Sequence, residues 1–222
     1  MLKQVDFIST LHNRTKRDYR QRVLDHDKAE CAVVACQWGE DYWDGERQFG
    51  YGGYRYDGRW RGMAEKLAQR YGLRAGDRIL DVGCGKAYLL YELTQVVPGV
   101  EVVGFDLSEY GLTHAKEELS HRLVRGHASS LPFADNAFDL VISVITLHNL
   151  PCFDLERAIR EIQRVGRGTN RYIAVESFRN EREKVNLLYW QLTCRSFYSP
   201  EEWAWWYRRC GYTGDYDFIF FE

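Results

Sequence analysis

The 222 residues carry 30 Lys and Arg against 32 Asp and Glu, so the basic excess that marks a general nucleic-acid binder is absent. The length suits one domain with a terminal extension and can bury a full core. No apolar run approaches the roughly 20 residues that span a bilayer. The opening MLKQVDFISTLHNR lacks a secretory apolar segment. Cys31, Cys36, Cys84, Cys152, Cys194 and Cys210 are scattered without a C-x-x-C pair, which points to reduced thiols in a cytoplasmic protein.

Residues 14–38 read as a helix with Val23, Ala29, Val33 and Ala35 on a partly apolar face and Thr15 as N-cap. Arg14, Lys16, Arg17, Arg20 and Arg22 crowd its first half, as a solvated face or as a clamp for an acidic substrate or partner. Residues 39–58 are rich in glycine and tyrosine with no helical period, and loops this long in compact domains tend to be functional. A second helix is expected over 59–72, ended by Gly72.

From there strands and helices alternate. Strands are expected at 78–82, 101–107, 123–128, 139–146 and 171–177. Helices are expected at 87–97, 108–122 and 154–166. That alternation implies an α/β, doubly wound, mostly parallel Rossmann-like sheet flanked by helices. Residues 183–197 read as helical, Ser199-Pro200-Glu201-Glu202 as a capping box opening another helix, and DYDFIFFE as a final strand.

The chemistry concentrates in ILDVGCGKAYLL, residues 79–90. A dinucleotide fingerprint starting at Gly83 would require glycine at position 88, where Tyr88 stands, and Asp81 would repel pyrophosphate. No G-x-x-x-x-G-K-[ST] occurs either. An acid at this point suits a cationic ligand such as the α-ammonium of S-adenosylmethionine. Asp106, 23 residues after Gly83, is spaced to take ribose hydroxyls.

DVGCGKA, GFDLS and GHASSLPFADNAFDLVIS resemble, in order and spacing, the motifs of class I S-adenosylmethionine-dependent methyltransferases. The resemblance covers roughly residues 59–177 and implies S-adenosylmethionine as cofactor. It implies that Asp81, Gly83 and Gly85 line the methionine end, and that Asp106 binds ribose with Leu107 beside the adenine. Ala128 and Ser129 would border the adenine, and Ser143 with Val144–Thr146 would floor the sulfonium. Three departures stand out. Ala87 replaces the third motif glycine, and His127 stands where an acid usually meets the adenine amino group. The finish after the last helix holds one good strand instead of the usual two.

Methyl transfer needs no universal base, so the acceptor must be read from the additions around the core. The expectation is transfer to O or N of a small polar metabolite, such as a sugar or natural-product precursor. A protein or tRNA acceptor, and a non-catalytic cofactor-binding protein, are the alternatives. His148 and Glu176, at the carboxyl ends of strands, are the candidate catalytic residues. Tyr51, Tyr54, Arg55, Tyr56 and Arg59 in the tyrosine loop, with Asn149, Tyr189 and Gln191, are candidates for holding the acceptor or closing over it. Leu187, Trp190 and Cys194 are expected in the core. Residues 1–58 are read as an N-terminal helical and loop lid, and 59–222 as the core with an acceptor-side insertion around 178–200. No metal, membrane or nucleic-acid partner is expected, and a homodimer is compatible with these features.

Overall fold

The computed structural model describes residues 2–12, 18–50 and 55–222. Among the described residues seven strands form one sheet: β1 (Lys3–Gln4), β2 (Arg78–Val82), β3 (Glu101–Asp106), β4 (Leu123–Arg125), β5 (Leu140–Val144), β6 (Arg171–Glu176) and β7 (Asp215–Ile219). Their order is β1-β7-β6-β5-β2-β3-β4, and every pair is parallel. The helices are α1 (Ser9–His12), α2 (Tyr19–Asp25), α3 (Lys28–Ala35), α4 (Glu40–Trp43), α5 (Arg61–Tyr71), α6 (Tyr88–Val96), α7 (Glu109–Thr113), α8 (Cys152–Val165), α9 (Glu181–Trp190) and α10 (Pro200–Arg209). None of the described helices is long and apolar enough to cross a membrane.

The strands read as continuous apolar runs because both faces of the sheet are covered. Side chains alternate between the faces. Ile79, Val102, Leu140 and Ile142 pack with Met63, Leu67, Leu90 and Leu93 of α5 and α6. Leu80, Phe105, Val141 and Ile173 pack with Leu155, Ile159 and Ile162 of α8 and with Trp203 and Tyr207 of α10. Successive strands run outward in one direction from β2 and in the other from β5. The crevice at the carboxyl ends of these neighbours is therefore the topological switch point, where such sheets bind ligands.

Several local expectations need correcting. The helix read over 14–38 is two helices in the described part. Asp18 caps α2 by accepting from the Gln21 N–H, and Asp27 caps α3 by accepting from the Ala29 and Glu30 N–H groups. His26 between them is extended. Arg14, Thr15, Lys16 and Arg17 lie outside the described residues. The helix read over 108–122 stops at Thr113 and resumes as a 3-10 helix, Glu117–Arg122. Gly111 inside it is a weak helix former. The strand read over 123–128 keeps only Leu123–Arg125. The helix read over 183–197 ends at Trp190, and Gln191–Ser199 continue without helix. The capping box of α10 forms as expected, with Ser199 and Glu202 bonding reciprocally and Pro200 in the first turn.

The single closing strand has an unexpected neighbour. β1 pairs with the outer edge of β7, with Lys3 opposite Asp215 and Gln4 opposite Tyr216. Asp217 of β7, 3 % exposed, accepts from the Phe7 and Ile8 N–H groups and from the Tyr172 hydroxyl. Residues 3–8 thus belong to the sheet and its core.

Candidate active site

A cavity of about 710 Å³ opens at the switch point. One part runs along the carboxyl ends of β2 and β3, past Asp81, Gly83, Gly85, Asp106, Leu107, His127 and Ala128. The other runs along β5 and β6, past Val144–Thr146, His148, Asn149, Glu176, Trp190 and Gln191. The two parts are continuous.

In the first part, Gly83 and Gly85 have positive φ, at 88° and 52°, where only glycine sits without strain. Close packing also demands them. A Cβ on Gly83 would lie 2.0 Å from Thr146 Oγ1, and one on Gly85 would lie 2.5 Å from the Trp43 ring. Asp106 is held by backbone: the Gly85 N–H donates to Oδ2 at 2.8 Å, and the Ser108 N–H donates to Oδ1 at 2.8 Å. Each oxygen keeps a lone pair for a hydroxyl. Burial raises the Asp106 pKa against these donors.

Asp81 differs. It is 3 % exposed, and its Oδ1 is buried without a hydrogen-bond partner. Burial first, and then the negative charge of Asp106, push its pKa up to about 8. A buried, unpaired acid is costly unless something completes it. An entering ammonium would supply both the missing donor and the missing charge. The residues present therefore fit the methionine and ribose ends of S-adenosylmethionine.

The side expected to meet adenine is less simple. Ala128 lines the cavity and Leu107, 46 % exposed, borders it. Ser129 instead donates its N–H to His127 Nδ1 at 3.3 Å, with its hydroxyl 2.7 Å from the same nitrogen. With Nδ1 accepting, neutral His127 carries its proton on Nε2. It then offers adenine a donor and no acceptor. Ser143 donates its hydroxyl to the Val82 carbonyl at 2.8 Å and is fully buried, while Val144–Thr146 form the cavity surface.

Ile145 has φ 56°, a conformation rare for a β-branched residue. The turn there swings Thr146 over the glycine loop, where its hydroxyl contacts the carbonyls of Val144 and Gly83. Ala87, at φ 58°, occupies the left-handed position of the missing third glycine and opens α6.

Sequence reasoning missed the outer wall of the first part. Trp43 lies against Gly85 and Gly111 and donates Nε1–H to Ser108 Oγ at 2.8 Å. Ser108 in turn donates to the Trp38 carbonyl. Beside it the nearly buried Lys86 ammonium bonds both oxygens of Asp44, at 2.6 and 2.7 Å, and Tyr110 donates to the same carboxylate. These contacts pin residues 38–44 across the glycine loop. The only signal in the sequence was a tryptophan among acids and glycines in a long loop.

In the second part, the His148 ring is 1 % exposed. The Glu176 N–H donates to Nδ1 at 3.5 Å, and Nε2 faces Glu176 Oε2 at 3.5 Å. Burial lowers the His148 pKa to about 3, so the ring is neutral and directs Nε2–H at the carboxylate. Gln191 donates its amide to Glu176 Oε2. Asn149 accepts from the Thr193 hydroxyl at 2.8 Å. Ile8, Leu11, Trp60, Leu89 and Phe221 give the cavity an apolar stretch of wall, with His12 edge-on to Phe221.

Arg59 reaches the cavity while bonded to both Asp57 oxygens. Tyr56 turns away and donates to Glu92 at 2.7 Å. Arg55 is described but does not line the cavity. Tyr51 and Tyr54 lie outside the described residues. Tyr189 points outward at 37 % exposure, whereas Trp190 and Gln191 line the cavity, because α9 ends there and turns its last residue inward.

Residues 80–173 match a family model described as a methyltransferase domain. The chain has the Rossmann-like fold of class I methyltransferases. A demethylmenaquinone methyltransferase of Symbiobacterium thermophilum is 33 % identical over 128 residues, covering 54 % of this chain and 50 % of that protein. The chain thus spans about half the length of the curated relatives it matches. A Bacillus halodurans protein assigned as a methyltransferase superposes with a TM-score of 0.57 at 24 % identity, over 67 % of this chain and 68 % of that one. The [4+2]-cyclase SpnF superposes over 95 % of this chain and 73 % of its own, with a TM-score of 0.55 at 21 % identity. These two structures show the fold of the methyltransferase domain and extend the likeness beyond the motifs.

Proposed function

We propose that the protein is an S-adenosylmethionine-dependent methyltransferase acting on O or N of a small molecule. The observation that carries this reading is the continuity of the cavity: the unpaired Asp81 carboxylate and Asp106 share one enclosure with His148, Glu176 and Gln191. A chamber walled by residues 8–11 and 190–195 suits a small acceptor better than a nucleic acid or a folded protein. The demethylmenaquinone methyltransferases among its relatives agree with a small-molecule acceptor. A sugar or a natural-product precursor is a narrower reading that the polar side of the chamber supports. We place the protein in the cytoplasm.

Asp81, Gly83 and Gly85 would hold the methionine end of the cofactor, Asp106 its ribose, and Leu107 with Ala128 its adenine. Bound there, S-adenosylmethionine supplies an electrophilic methyl group to an in-line nucleophile. Glu176 is placed to accept a hydrogen bond from the acceptor O–H or N–H and to take its proton as the new bond forms. His148 and Gln191 fix the Glu176 carboxylate. Val144–Thr146 floor the reacting centre, and Asn149 and Arg59 contact the acceptor. Beyond the sheet-paired residues 3–8, the segment up to residue 58 acts as the closing element, and 178–200 wall the acceptor side.

Calorimetric titration with S-adenosylhomocysteine tests the reading. The expected result is micromolar binding by the wild type and a loss of about tenfold or more in Asp106→Ala. Wild-type protein that fails to bind at high micromolar ligand overturns it.

A further inference from the structure

Apart from the buried Lys86, which is paired with Asp44, the charges lining the cavity are segregated by burial. Its acids, Asp81, Asp106 and Glu176, lie at the carboxyl ends of β2, β3 and β6, and Asp81 and Glu176 are no more than 5 % exposed. Its outer lining carries two exposed guanidinium groups, Arg47 and Arg195. Neither has a carboxylate partner among the described residues. The third arginine of the lining, Arg59, is already neutralised by Asp57.

Both groups are positioned by what surrounds them. The Arg47 guanidinium stands 5.7 Å from the centre of the Trp190 ring, on which Arg22 also packs at 4.7 Å. Arg22 donates to the carbonyls of Arg47 and Gly50, which fixes the backbone that presents Arg47. On the other side, the Arg195 N–H donates to the His148 carbonyl, and the neighbouring Ser196 hydroxyl is tied to the Leu150 carbonyl. Arg195 is thus carried on backbone bonded to the 3-10 turn that bears His148. A positive field at the mouth, an apolar wall and an acidic floor select one kind of molecule.

We propose that the acceptor is an amphipathic organic anion: an apolar or aromatic body whose oxyanion, a carboxylate or a phosphate ester, is held by Arg47 and Arg195 while its hydroxyl or amine points at Glu176. This substrate class rests on the methyltransferase reading. Guanidinium is the side chain suited to hold such an oxyanion through paired N–H donors. The arginines also steer an anionic acceptor into the mouth with its reactive end leading.

A matched pair of fluorescent probes tests the site. 8-Anilinonaphthalene-1-sulfonate and N-phenyl-1-naphthylamine share the apolar body, and only the first carries an oxyanion. Titrations are run with and without saturating S-adenosylhomocysteine on the wild type, Arg47→Gln, Arg195→Gln, the double variant and the exposed control Arg208→Gln. The expected result is about fivefold tighter binding of the sulfonate by the wild type, retained in Arg208→Gln, reduced in each single cavity variant and absent in the double variant. Affinity for the neutral probe stays constant throughout. Displacement of the sulfonate probe by phenylacetate or by phenyl phosphate tells which oxyanion is preferred. Equal binding of the two probes, no binding, or a preference that survives the double substitution overturns the proposal. S-Adenosylhomocysteine binding without sulfonate preference sinks the acceptor class alone. Sulfonate preference without S-adenosylhomocysteine binding sinks the methyltransferase reading and leaves the anion site.

Discussion

Trp43 donates its indole N–H to the Ser108 hydroxyl at 2.8 Å, joining the segment before the core to the turn after β3. That turn follows Asp106, so the bond closes the outer wall of the proposed ribose site. Trp43→Phe keeps the packing and removes the donor, and should weaken S-adenosylhomocysteine about fivefold by calorimetry. Trp43→Ala removes the wall as well and should weaken it by tenfold or more. Unchanged affinity in both would show that residues 38–44 cover the glycine loop without serving the ligand.

Asp81 makes the unliganded protein pH-sensitive. Its folded pKa of about 8 lies above the ordinary value near 3.9. Between those values the folded state holds a proton that the unfolded state has released. Stability of the unliganded protein therefore falls as pH rises through this window and levels off above 8. Asp81→Asn should raise the melting temperature more at pH 8 than at pH 5. Binding of the ammonium ligand requires the ionised form, so wild-type affinity should rise from pH 6 to 8 with proton release on binding. A flat affinity profile would remove Asp81 as the ammonium partner.

Ala87 opens α6 at φ 58°, a left-handed conformation that strains any residue with a Cβ. Glycine would relieve roughly 1 kcal/mol there, offset in part by greater freedom of the unfolded chain. Ala87→Gly should raise the melting temperature by about 1–3 °C, with cofactor affinity retained. A lower melting temperature would mean that the methyl group, fully buried in the core, matters more than the backbone.

His148 works in the opposite sense to Asp81. Its folded pKa of about 3 lies below the ordinary value near 6.5, so the unfolded state binds a proton that the buried ring refuses. Its contribution is complete above 6.5 and is lost as pH falls towards 3. His148→Gln should flatten part of the acid limb of the stability curve. Once an acceptor is known, Glu176→Gln should lower kcat by about a hundredfold. His148→Asn should act more mildly, by disordering the carboxylate. A larger loss in His148→Asn than in Glu176→Gln would return the base role to the histidine.

The fold was legible where local chemistry and tertiary demand agree. RILDV, EVVGFD and LVISV are apolar runs bounded by acids, glycines or turns, and each is a strand buried on both faces. Asp81, Gly83 and Asp106 could be placed because strand ends and a tight turn dictate their spacing. β1 could not be read, since two exposed residues carry no periodic pattern and owe their conformation to the edge of β7. Trp43 was hidden for a related reason: its meaning lies in its approach to Gly85, 42 positions away in sequence. The i, i+3 spacing of Leu187 and Trp190 places both in the core, as expected, but it could not show that the Trp190 ring also lines the cavity or that Tyr189 faces solvent.

The pairing of β1 with β7 sets an order of assembly. Residues 78–128 bring Asp81, Gly83 and Asp106 together from one contiguous stretch that a growing chain completes early. The apolar wall of the cavity needs both Ile8 and Phe221, and the Phe7 N–H must find Asp217, 210 positions downstream. The part of the cavity along β2 and β3 can therefore take shape while the part proposed for the acceptor is still unbuilt, and the cavity is closed only when β7 pairs with β1.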